Sequence, residues 1–102
     1  MSVTTNAGRN YEIRNISANA TTDTALDFNN KFINSIIVRS RTTTIDLYLR
    51  RNIGDADYIT IPAGQTLTLD CSLIDQTQGG YIIGYIRSAS GTPVIEVLGT
   101  ID

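Results

Sequence analysis

Side chains able to do chemistry are scarce in this chain of 102 residues, and their types exclude most reactions at once. There is no His, which removes the commonest general base, the Ser–His and Cys–His nucleophile pairs and the commonest transition-metal ligand. A single cysteine, Cys71, puts structural zinc sites and an intrachain disulfide framework out of reach. It shares strand parity with Leu69 and Leu73 and reads as a small buried hydrophobe rather than a reactive thiol. Carboxylates remain: Asp55 and Asp57 flank Ala56, and Asp27, Asp70 and Asp75 are scattered on loops. A hard cation such as calcium wants about six to eight oxygens, so two loop aspartates are too few. Asp55-Ala56-Asp57 reads as a solvated turn.

Binding chemistry is more plausible than catalysis. Gly54 and Gly79-Gly80 form no phosphate loop, because no Lys and no helix start follow them. Tyr48, Tyr58, Tyr81 and Tyr85 could line a sugar platform or a base-stacking surface. Against this, the chain has no Trp and no basic groove, and strand tyrosines commonly cover a half-buried face. Asn15-Ile16-Ser17 and Asn19-Ala20-Thr21 match the glycosylation sequon, as chance allows in a chain rich in Asn and Thr. The formal net charge is −2, a balance that points to neither nucleic acid nor a membrane surface. Basic residues are nearly all Arg, with Lys31 the only lysine. Arg forms bidentate contacts that suit interfaces. Arg9, Arg39, Arg41, Arg50, Arg51 and Arg87 are the candidate partner contacts, the last five because they sit at expected strand ends and hairpin tips; the alternative is that they keep strand edges soluble.

The elements that must position these residues are strands. Residues 1–10 are small and polar and read as an extended arm with no apolar face of its own, one that docks on a partner. Residues 11–102 read as a single β-sandwich domain, since a chain of this length holds one core. Strands are expected at Tyr11–Ile16, Ala25–Phe28, Phe32–Ser40, Ile45–Arg50, Tyr58–Ile61, Thr66–Asp70, Tyr81–Ser88 and Pro93–Leu98. The first alternates Tyr and Ile against an outward Glu and Arg; the third, rich in Ile and Val, reads as buried on both faces. Pro62-Ala63-Gly64-Gln65 has turn chemistry, with Gly64 supplying a positive φ. Ser72-Leu73-Ile74-Asp75 could form at most one helical turn. Eight short strands predict an antiparallel sandwich, jelly-roll-like or immunoglobulin-like, with Ile45, Leu47, Leu49, Leu67, Leu69, Ile86 and Leu98 in its core. Ile37-Val38-Arg39-Ser40 before Ile45–Leu49 is echoed by Tyr85-Ile86-Arg87-Ser88 before Val94–Leu98; both read as hairpins.

No stretch reaches the roughly 18 apolar residues of a membrane span, and the first residues lack the apolar core of a secretory signal. Synthesis in a cytoplasm is the expectation.

Ile61-Pro62-Ala63-Gly64-Gln65-Thr66-Leu67-Thr68-Leu69-Asp70, followed by the segment from Tyr85 through Ser90-Gly91-Thr92-Pro93 to Gly99, resembles small β-sandwich virion proteins of tailed bacteriophages. The likeness covers about the last 45 residues of the chain. It implies a capsid decoration, or cement, protein on the exterior of the virion, with no catalytic residues and no cofactor to carry over. Its partner would be the major capsid protein of the same phage, and it would be a homo-oligomer, trimer or dimer. The alternative is a carbohydrate- or host-receptor-binding module of a head or tail fibre, carried by the tyrosines and the loop aspartates.

Overall fold

The computed structural model of the protein describes residues 10–28, 33–71 and 82–101. Eight strands follow in order: β1 (Asn10–Ser17), β2 (Thr24–Asp27), β3 (Ile33–Ser40), β4 (Leu47–Arg50), β5 (Ile59–Ile61), β6 (Thr66–Asp70), β7 (Ile82–Ser88) and β8 (Val94–Ile101). Each lies where the pattern of apolar and polar residues places one, and there is no α-helix among the described residues. The expected arm of residues 1–10 lies outside the described residues except for Asn10, which opens β1 opposite Ile101. Gly79-Gly80, Tyr81, Asp75 and the helical turn expected at Ser72–Asp75 also lie outside them.

The strands form two antiparallel sheets, a first of order β1-β8-β3-β6 and a second of order β2-β7-β4-β5. Every step along the chain except β4 to β5 changes sheet, which is the connectivity of an eight-stranded jelly roll. Two expected hairpins are thereby corrected. β3 and β4 lie in different sheets, as do β7 and β8, so Arg41–Asp46 and Ala89–Pro93 are arches over the end of the sandwich. The two arches are equivalent. Putting residues 85–97 in place of 37–49 turns the β3–β8 pairs Val38↔Val97, Arg39↔Glu96 and Ser40↔Ile95 into the β7–β4 pairs Ile86↔Leu49, Arg87↔Tyr48 and Ser88↔Leu47. Their cross-links match too: Arg41 N donates to Val94 O at 2.9 Å and Ala89 N to Asp46 O at 2.9 Å. The sequence echo is thus a local two-fold relation between arches. Pro62–Gln65 makes a third crossing, a tight turn closed by Gln65 N donating to Pro62 O at 3.0 Å, with Gly64 at φ 78° as a type II turn requires.

The core lies between the sheets and is built on Leu26, Phe28, Ile33, Ile36, Val38, Leu47, Ile61, Ile83, Ile86, Ile95 and Val97. Leu47 and Ile86 are buried as expected, and Leu49, Leu67 and Leu69 pack against the cluster half-buried. Two expected core residues are not part of it. Ile45 sits half-exposed in the β3–β4 arch. Leu98 shares parity with Glu96, whose carboxylate is at the surface, and so faces outward with it while Ile95, Val97 and Gly99 face inward. β3 is buried on one face only: Ile36 and Val38 point in, but Ile37 is 41% exposed. An irregularity between Ile33 and Ser35 makes Asn34 an extra residue in the ladder, which lets Ile33 and Ile36 both point inward despite their spacing.

The parity of β1 is the largest correction. Ile16 packs on the core, so Glu12 and Arg14 share the inward face, whereas Tyr11 and Ile13 stand 63% and 59% exposed. The partners on β8 agree: Arg14 lies opposite the buried Val97, Ile13 opposite the outward Leu98.

Three measurements check this core. Leu47→Ala, at 1% exposure, should cost about 2–5 kcal/mol in a denaturant titration, as buried leucine truncations do. Gly99→Ala should cost about 1–3 kcal/mol by overpacking: its methyl would lie 2.7 Å from Phe28 Cε1, and Phe28 is fully buried. Burial pushes the Cys71 thiol from the ordinary 9.0 to about 11; the neighbouring Asp70 charge adds to this, and a backbone hydrogen bond from Ile36 opposes it. The folded state therefore holds this proton more tightly than the unfolded chain. The corresponding stability is complete below the ordinary thiol value and is lost as the pH rises towards about 11. Alkaline melts of the wild type and Cys71→Ser should differ in slope over that window.

Candidate functional site

The candidate arginines gather around two acids on opposite sides of the sandwich. On the outer face of the first sheet, Glu96 on β8 stands between Arg39 and Arg41. Arg39 Nε donates to Glu96 Oε1 at 2.8 Å and Arg41 Nε to Oε2 at 3.3 Å. Arg39 is the cross-strand partner of Glu96, and Arg41 reaches it because the arch is tied back to Val94. The hydrogen bond from Arg39 is the main cause that holds the Glu96 carboxyl below its usual range; burial opposes it, and the hydrogen bond from Arg41 adds a smaller lowering. Both arginine side chains remain more than half exposed, so their free N–H groups are presented to whatever meets this face.

The second acid is Asp23, missed by sequence reasoning. Its side chain, 1% exposed, lies in the β1–β2 loop within reach of Arg87 Nε at 3.2 Å and Arg50 Nη1 at 3.7 Å, and it accepts from Gly54 N at 3.2 Å. Arg50 Nε also donates to Asp55 O at 2.9 Å, and its guanidinium lies 4.7 Å from the ring centroid of Tyr58. Tyr58 in turn meets Tyr48 edge to face at 5.0 Å. Arg50 and Arg87 are thus spent on joining β4, β7 and two loops. Of the remaining candidates, Arg51 is exposed in the β4–β5 loop and Arg9 lies outside the described residues. The tyrosines come together only in part: Tyr48 and Tyr58 touch, and Tyr85 lies across the ladder from Arg50.

The acidic turn is structural in the same sense. Asp55 Oδ2 accepts from Asn52 N at 3.0 Å, closing the loop on itself. No group of three or more metal-ligating side chains occurs among the described residues. Asn19, the sequon residue, uses Oδ1 to accept from the backbone N–H and hydroxyl of both Thr21 and Thr22, an Asx turn that shapes the β1–β2 loop.

What sequence reasoning missed is the apolar row beside the Glu96 cluster. Ile13, Leu98 and Ile37 are direct cross-strand partners on β1, β8 and β3, all on the outward parity. They line a depression of about 310 Å³ walled by Arg39, Thr66 and Glu96. Tyr11, 63% exposed, continues the face. Three aliphatic side chains in register on a solvent-facing sheet are unusual for a surface that serves only solubility. A signal was present for β8 alone, where a surface Glu96 sends Leu98 out; for β1 the inward side of Ile16, and so the outward side of Ile13, comes from its packing on the core.

The two acids differ in what they hold. Asp23→Ala leaves a buried carboxylate site empty, strips the Gly54 N–H and two guanidiniums of their partner, and should cost about 1–3 kcal/mol in denaturant unfolding. Glu96→Gln should leave the melting temperature essentially unchanged, because exposed ion pairs contribute little.

Compared with known protein families, with curated proteins and with solved structures, the chain matches none.

Proposed function

We propose that the protein is a non-catalytic structural module that lies flat against a larger protein assembly through the outer face of its first sheet, as a capsid decoration protein of a tailed bacteriophage. The observation that carries this reading is the Ile13–Leu98–Ile37 row with the paired Arg39, Glu96 and Arg41 at its border. An apolar centre rimmed by arginine and carboxylate is the anatomy of a protein–protein contact. The phage capsid as partner rests on the resemblance of the last 45 residues to small virion proteins. Jelly rolls serve in viral capsids and in lectins alike, so the architecture supports the assembly reading and the receptor-binding reading equally, and the exposed face favours the first. In this role the partner is the major capsid protein, the site the exterior of the virion, and the protein acts as a homo-oligomer.

A protein that binds only the assembled shell stabilises it by mass action, so particles carrying it should withstand heating better than particles stripped of it. Burying one aliphatic side chain contributes about 1.5–3 kcal/mol. Ile37→Asp and Leu98→Asp should therefore each weaken co-sedimentation with purified capsids by about tenfold or more, with the circular dichroism unchanged. Wild-type protein that leaves capsid stability unaltered, and binds a cell-surface glycan through Tyr48 and Tyr58 instead, would establish the receptor-binding reading.

A further inference from the structure

β1 forms an edge of the first sheet: of the described strands it pairs with β8 alone. It is eight residues long and regularly paired throughout. Edge strands of this length invite a further strand unless something blocks them. Its inward face carries two opposite charges two residues apart, Glu12 and Arg14, and its outward face carries Tyr11, Ile13 and Asn15. On the β8 side, Arg14 lies opposite Val97, and its Nη1 is buried with no hydrogen-bond partner.

We propose that β1 pairs antiparallel with β1 of a second copy about a two-fold axis at Ile13, so that the two first sheets become one continuous sheet. The register follows from charge. Residues facing each other across a ladder must share a face, so the axis passes through a residue and not between two. An axis at Glu12 sets Glu12 against Glu12 of the second copy, and one at Arg14 sets Arg14 against Arg14. An axis at Tyr11 or Asn15 leaves both charges opposite uncharged residues. The axis at Ile13 alone sets Glu12 against Arg14 of the second copy and Arg14 against Glu12, two charge-matched pairs in an isologous contact. On the other face it sets Ile13 against Ile13. The row Ile37–Leu98–Ile13 then continues into its own copy, doubling the apolar stripe on the outer face.

The dimer needs no capsid, so its failure and the failure of capsid binding are read in separate experiments. Sedimentation equilibrium of the purified full chain should show a reversible dimer. Glu12→Arg and Arg14→Glu should each be monomeric, because their like charges then face each other. Mixed, these two variants should recover the dimer, since a chain with two arginines meets a chain with two glutamates; a loss of fold would not be rescued by mixing. The double variant Glu12→Arg/Arg14→Glu should be dimeric alone. A wild type that stays monomeric at all concentrations would overturn the proposal and leave the inward charges as a guard on the edge. A dimer that persists in Glu12→Arg, or a mixture that does not pair, would overturn it equally.

Discussion

The buried face of β8 is the constraint on which the rest of the first sheet depends. Ile95, Val97 and Gly99 must point inward, because the first two fill the core and the third leaves room for the Phe28 ring, less than 3 Å from where a side chain would begin. Strand geometry then leaves no freedom: Glu96 and Leu98 must point out. Through the ladder the same parity passes to β3, exposing Ile37 and Arg39, and to β1, exposing Ile13. An outward orientation for positions 13, 98 and 37 is thus imposed together with the packing of the core. The side chains at those positions are not imposed, and a threonine or a lysine would fit the geometry as well.

Crossing from sheet to sheet shapes the end of the sandwich. The β3–β4 and β7–β8 arches lie side by side and exchange equivalent backbone hydrogen bonds, so each holds the other in place. Local acids complete the work. Asp46 Oδ1 accepts from Ala63 N at 2.7 Å, joining the Pro62–Gln65 turn to the start of β4. Asp23 ties the β1–β2 loop to β4 and β7 from the far side. Arginines that look alike in sequence thereby divide into two kinds. Arg50 and Arg87 are largely withdrawn from solvent, with 14% and 31% of their side chains exposed, whereas Arg39 and Arg41 remain available at 62% and 54%.

Strand positions were legible throughout, because β-branched runs broken by Gly, Pro and Asn leave few other readings. Orientation was legible where polarity was unambiguous, as for Leu47 and Leu67. It was not for β1, where Tyr11 and Ile13 compete with Ile16 for the inward side and only the tertiary contact with Ile95 decides. Nor was it for β8, where Val97-Leu98 offers two adjacent apolar residues and parity with Glu96 has to choose. Connectivity was the least legible: a short polar tip between two strands fits a hairpin and an arch equally, and the difference lies in pairings with distant strands. The candidate site inherited these errors. Its arginines could be found from type alone, but the apolar row between them depends on three strands in register, and its outward side on parities that sequence left open.

Thiol labelling of two variants, each with one added cysteine, reads out both the parity of β8 and the contact made by the outer face of the first sheet. Leu98→Cys and Val97→Cys place adjacent reporters on opposite faces of β8, against a native Cys71 that is buried. Labelling at position 98 should be rapid in the free protein and protected on capsid particles, and labelling at position 97 should be slow in both. Rapid labelling at 97 with protection at 98 in the free protein would contradict the parity of β8. Equal labelling at 98 with and without particles would contradict the outer face as the surface of contact.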